Sequence, residues 1–93
     1  MNKRRIVITG MGTINALGHN VDETWKNLLA GKSGVDHITN FEITDEYTSR
    51  IAGEIKNYDP KKYFERKKLK KMDPYTQYAL IASKEAIEDS GLN

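Results

Sequence analysis

The sequence predicts an α/β fold that this chain contains only in part, and three observations carry that prediction. Ile6-Val7-Ile8-Thr9 is a β-branched block with apolar residues on consecutive positions, the pattern of a strand buried on both faces. Two segments with clear helix start and stop signals follow, the longer running from Pro74 to about Ser90. The remainder offers a single further weak strand. A doubly buried strand needs neighbours on both edges and cover on both faces, so these elements imply a larger sheet than the chain itself supplies.

Taken in order, the basic Lys3-Arg4-Arg5 leads into the first strand, and Gly10, Gly12 and Gly18 punctuate the loop after it. Asn20 is placed as an N-cap with Glu23 three residues on, Asp22 and Glu23 fall in the first turn, and Gly31 stands just past the end. Val21, Trp25, Leu28 and Leu29 recur at helical spacing, so a helix is expected from about Val21 to Ala30. The stretch from Val35 to Ser49 has no sustained period and reads as mostly loop. Arg50-Ile51-Ala52-Gly53-Glu54-Ile55 reads as the weak second strand, with Gly53 against it. Asp59-Pro60 announces a short helix over Lys61 to about Glu65, and Asp73-Pro74 opens the long one, with Gly91 at its C-cap. Along that helix Tyr75, Ala79, Ala82 and Ala86 form a side whose small residues admit close approach, while Lys84 and Glu88 sit at i and i+4 on the wet side. The chain reaches Ser90-Gly91-Leu92-Asn93 where an α/β protein turns from helix into its next strand, so a piece of a larger protein is expected, not a complete domain.

Composition narrows the chemistry. Ninety-three residues, 38% apolar and 30% charged, make at most one domain with a thin core. Zero cysteines exclude disulfides, zinc-thiolate sites and a thiol nucleophile from these residues. The start Met1-Asn2-Lys3-Arg4-Arg5 is basic, but the apolar run after it is only Ile6-Val7-Ile8, too short for a secretory or membrane-spanning segment. The expected compartment is the cytoplasm.

Of the possible chemical sites, the glycine loop is the first to weigh. Strand, glycine-rich loop and helix together form the setting in which backbone N–H groups cradle phosphate. A dinucleotide fingerprint needs glycine where Asn15 stands, however, so glycines making tight turns against a packed sheet is the stronger reading. His19 and His37 lie eighteen residues apart in loops without metal-ligand spacing, and read as surface or locally hydrogen-bonded groups. No pair of carboxylates suggests acid–base work, and no metal or cofactor is expected. The one pronounced feature is charge. Lys61, Lys62, Arg66, Lys67, Lys68, Lys70 and Lys71 place seven cations in eleven residues against the single Glu65, while the rest of the chain is net acidic. Such a patch attracts acidic partners through a field reaching about 8–10 Å at ordinary ionic strength.

Several blocks in one order resemble a known family. Lys3-Arg4-Arg5-Ile6-Val7-Ile8-Thr9-Gly10-Met11-Gly12, Leu17-Gly18 and Thr24-Trp25-Lys26-Asn27-Leu28-Leu29-Ala30-Gly31-Lys32-Ser33-Gly34 resemble the amino terminus of the β-ketoacyl-[acyl-carrier-protein] synthases, the synthase II group above all. The likeness continues through Phe41, Ala52-Gly53, Arg66-Lys67, Lys70-Lys71-Met72-Asp73, Gln77-Tyr78 and Asp89-Ser90-Gly91-Leu92, and departs at Ala16, where the family usually has proline. The resemblance implies the N-terminal part of a thiolase-like, layered α-β-α-β-α fold, with residues 1–93 an incomplete piece of its first ketosynthase domain and the parent a homodimer. It implies that the parent condenses an acyl thioester with malonyl-[acyl-carrier-protein], with decarboxylation, to give the 3-oxoacyl product in fatty-acid chain elongation. The family's catalytic cysteine and two histidines lie downstream, so no catalytic residue is expected here and His19 and His37 do not match. What the resemblance does transfer by position is the surface that grips acidic acyl carrier protein: Lys67, Lys70 and Lys71, with Arg66 close by. An alternative of another class is a small basic module that binds nucleic acid or another acidic partner through residues 61–71; the resemblance implies neither nucleic acid nor membrane as partner.

Overall fold

The structure, a computed structural model, describes residues 3–92; Met1 and Asn2 of the basic leader and Asn93 of the terminal turn lie outside it. The first helix, α1 (Val21–Leu29), begins where the capping residues place it. Asn20 Oδ1 accepts from the Glu23 backbone N–H at 2.8 Å, satisfying one of the donors that the first turn leaves open. The Glu23 carboxylate in turn reaches back to the His19 N–H at 3.3 Å. Two antiparallel strands follow, β1 (Asp36–His37) and β2 (Ile51–Ala52), with Asp36 opposite Ala52 and His37 opposite Ile51. The expected strand over 50–55 thus shrinks to two residues, and its partner lies in the stretch read as loop. The cause is local: past Gly53 the Glu54 carboxylate accepts from the backbone N–H groups of Thr39 at 2.8 Å and Asn40 at 3.0 Å, replacing ladder bonds with side-chain bonds.

A 3-10 turn over Pro60–Lys62 starts at Asp59, whose Oδ1 accepts from Lys61 N–H at 3.1 Å, and is shorter than the expected helix to Glu65. A separate single turn, α2 (Arg66–Leu69), comes next, and then the long helix α3 (Pro74–Ser90) on its expected bounds. Gly91 closes α3 at φ 77°, in the left-handed region that disfavours any residue with a Cβ.

The glycine loop packs on a helix instead of a sheet. A Cβ on Gly12 would meet the Ala82 carbonyl oxygen and lie 2.7 Å from the Ala86 nitrogen, so the small face of α3 is what lets the loop backbone so close. Carboxylates of α3 hold it there. Asp89 Oδ2 accepts from Met11 N–H at 3.0 Å, and Glu85 accepts from Thr13 N–H and from Val21 N–H, both at 2.9 Å.

Little of this is deeply buried. Ile81 at 9% exposure and Gln77 at 7% are the most enclosed large side chains among the described residues. The expected doubly buried strand is corrected accordingly: Ile6, Val7 and Ile8 are 92%, 68% and 82% exposed, and no strand pairs with them among the described residues. The radius of gyration is 17.0 Å, where a compact chain of this length has about 12 Å. The accessible surface is 8205 Å², against roughly 5,500 Å² for a closed monomer of this mass. Among the described residues no helix is long and apolar enough to cross a membrane.

Candidate functional site

The glycine loop offers no phosphate cradle. Five of its amides are already bonded: those of Met11 and Thr13 to the α3 carboxylates, that of Leu17 to Asn15 Oδ1 at 2.8 Å, and those of Asn15 and Gly18 to each other's carbonyls at 2.9 and 3.3 Å. A nucleotide phosphate would have to approach Glu85 and Asp89, charges of its own sign. Asn15, the residue that breaks the fingerprint, staples the turn, its Nδ2 donating to Thr13 Oγ1 and Thr24 Oγ1 at 3.0 and 2.9 Å.

The basic segment is different in kind. Arg66, Lys67 and Lys68 occupy α2, and Lys70 and Lys71 continue the turn after it, all five exposed. Lys70 holds helical angles, φ −64° and ψ −19°, so Arg66 and Lys70 stand one turn apart on the same side. The only ion pair among the described residues is Arg50 with Asp45 at 3.7 Å; none of the segment's cations has a carboxylate within bridging distance. Glu65 sits at the N-cap without a side-chain cap bond. A four-residue turn of like charges does not stand by itself, because short isolated helices are unstable and i, i+4 repulsion weakens them further. Tertiary anchors hold it. Phe64, Leu69 and Met72 are half-buried, while the cations between them face water.

Beneath lies a polar and aromatic support that spacing did not single out. Gln77, the buried polar residue of α3, accepts from the Tyr58 hydroxyl at 2.7 Å and donates through Nε2 to the Met72 carbonyl at 3.2 Å. Tyr58 stacks on Tyr63 with centroids 5.9 Å apart and meets Tyr78 edge-on at 5.1 Å. Partial burial, and behind it the charges of Tyr78, Tyr63 and Asp59, raise the Tyr58 pKa above its ordinary 10.0, so it remains a hydrogen-bond donor across the neutral range. His19 belongs to this support, hydrogen-bonded as the sequence suggests but to residues far along the chain: Nε2 meets the Lys56 carbonyl and Nδ1 lies 3.4 Å from the Tyr63 hydroxyl. His37 is exposed in β1. The sequence signal that was available for Gln77 is its place one turn before Ile81 on a helix, a polar residue on the inward side.

The pattern of the β-ketoacyl synthase N-terminal domain matches residues 3–93. Vibrio cholerae serotype O1 3-oxoacyl-[acyl-carrier-protein] synthase 2 is 45% identical over 92 residues, covering 99% of this chain and 22% of that protein. The enzyme of the same description from Staphylococcus aureus strain COL is 41% identical over 90 residues, 97% of this chain and 22% of that one. Among solved structures, the ishigamide ketosynthase/chain length factor superposes with a TM-score of 0.83 at 35% identity, covering 99% of this chain and 23% of its own. The chain thus spans about a fifth of the length of the relatives it matches. Its loop, helices and basic turn have the fold of the amino-terminal part of a ketosynthase, and the chain belongs to the β-ketoacyl synthase family.

Proposed function

We propose that this chain is the carrier-protein-docking segment of a cytoplasmic, homodimeric 3-oxoacyl-[acyl-carrier-protein] synthase. The parent enzyme transfers an acyl group from its thioester onto the carbanion released by decarboxylation of malonyl-carrier protein, lengthening a fatty acyl chain by two carbons. Residues 1–93 form an incomplete first ketosynthase domain, bring no catalytic residue, and are inactive alone. Arg66, Lys67, Lys70 and Lys71 receive the acidic carrier.

The observation that carries this reading is the exposed turn of cations with no carboxylate within bridging distance, its end bonded to Gln77 through the Met72 carbonyl. Such charges raise the encounter rate and fix orientation more than they add affinity, which suits a partner that must arrive, deliver and leave. The test is charge reversal at Lys67, Lys70 and Lys71 in the full-length enzyme. At about 0.5–1 kcal/mol per rim charge, KM for acyl-carrier protein rises roughly 10- to 150-fold. KM for a small acyl thioester, which carries no acidic helix, moves far less. An unchanged KM for the carrier refutes the assignment, and salt-dependent binding of DNA by this segment would favour the nucleic-acid alternative.

A further inference from the structure

The docking cations are all on the surface, but what fixes their geometry is inside. Gln77 is 7% exposed, and each end of its amide has one partner: Oε1 takes the Tyr58 hydroxyl at 2.7 Å, and Nε2 gives to the Met72 carbonyl at 3.2 Å. Met72 is the residue that closes the basic turn, its own N–H donating to the Leu69 carbonyl at 3.3 Å. Lys71 N–H does the same to Lys68 at 3.1 Å. The turn's own bonds thus begin at the Glu65 carbonyl, which accepts from Lys68 and Leu69 at 3.0 and 3.2 Å, and its far end is tied to α3 through the Met72 carbonyl on Gln77.

We propose that Gln77 and Tyr58 are positioning residues for carrier-protein docking, acting as a buried latch that holds Lys67, Lys70 and Lys71 in one arrangement against their mutual repulsion. This rests on the docking role proposed above. The physical case is a competition: like charges within one turn push apart, and a buried amide bonded at both ends opposes them. Without the latch the cations remain present but no longer preorganised, and ordering them becomes part of the cost of each encounter. Tyr58 completes the arrangement, because the Oε1 of a buried Gln77 without its donor would be left unpaired.

The experiment uses the full-length enzyme with Gln77→Met, close in volume and unable to bond, and Tyr58→Phe, which removes one hydroxyl. Amide hydrogen exchange over residues 68–72 is read alongside KM for acyl-carrier protein and for a small acyl thioester. Both variants are expected to speed exchange in that segment and to raise KM for the carrier about threefold to tenfold, the equivalent of one buried neutral hydrogen bond, while the small-thioester KM changes less than twofold. In a background where Lys67, Lys70 and Lys71 are already reversed, Gln77→Met adds no further rise; a merely structural defect would add its full effect. Unchanged exchange in both variants overturns the latch. Faster exchange with unchanged carrier KM, where charge reversal does raise KM, overturns this proposal alone. No rise on charge reversal refutes the docking role and this proposal with it.

Discussion

Gly12→Ala tests whether the glycine loop is held by contact with α3. A Cβ there would lie 2.7 Å from the Ala86 nitrogen and 2.9 Å from the Ala82 carbonyl carbon, where ordinary contact begins at 3.4 Å. Both are helix backbone and cannot swing aside, and the Ala82 carbonyl oxygen is nearer still, so the loop must retreat by at least about 0.7 Å. That movement stretches Thr13 N–H to Glu85 Oε1 from 2.9 Å to about 3.6 Å or beyond, past the range in which a hydrogen bond holds. A bond to a charged acceptor is worth about 1.5–3 kcal/mol, and overpacking a tight site costs a similar ~1–3 kcal/mol. Because the retreat relieves the clash, the two do not add fully, and about 2–3 kcal/mol of local stability is lost. In amide exchange this is roughly a 30- to 150-fold faster rate at Thr13. Gly53→Ala is the control, since its Cβ would sit 3.7 Å from Ala16 Cβ in ordinary contact. Exchange at Thr13 within threefold of the parent in Gly12→Ala would refute the packing account.

Two further outcomes follow from single groups. Asn20→Ala removes the acceptor of the 2.8 Å bond from Glu23 N–H and should cost α1 about 1 kcal/mol, seen as faster exchange at Glu23 and Thr24; unchanged rates there would contradict the cap. Glu54 is held below its ordinary value near 4.5, first by the Thr39 backbone N–H and then, against some desolvation, by Asn40, the Thr39 hydroxyl and the Lys56 charge. A depressed carboxylate contributes stability that is present above its unfolded value and lost as pH falls through the folded one. The Thr39 and Asn40 amide resonances should therefore titrate together with a midpoint below 4.5, and a midpoint at or above it would contradict the assignment.

The sequence was most legible where structure is decided locally. Asn20, Pro74 and Gly91 each act through their own backbone neighbours, although the Asp73 side chain makes no cap bond, and α1 and α3 start or stop where those residues stand. The small face of α3 was legible in part: Ala82 and Ala86 admit the glycine loop, whereas Tyr75 and Ala79 of the same side are exposed. What spacing missed was set by distant groups. The β1 strand depends on a pairing between residue 36 and residue 52 that no local pattern announces. Ile6-Val7-Ile8 has the composition of a buried strand, but a ladder belongs to two strands, and the described residues hold no second one against it. The cations at 66–71 were visible as charge, whereas the Tyr58–Gln77–Met72 support joins three separated positions and left no periodic trace.

These pieces meet on α3, and its two sides explain why so thin a core suffices for so definite an arrangement. At 100° per residue, Ala82 and Ala86 fall on one side and Gln77 and Ile81 nearly opposite. The first side takes the glycine loop, tethered through Glu85 and Asp89 at the margins. The second takes Tyr58 and, through Met72, the basic turn. Glycine loop and basic turn are thus fastened independently to one helix. Disturbing Gly12 should leave exchange at 68–72 in place, and disturbing Gln77 should leave Thr13 in place. Separation of this kind lets the basic surface proposed for docking be tuned without moving the glycine loop.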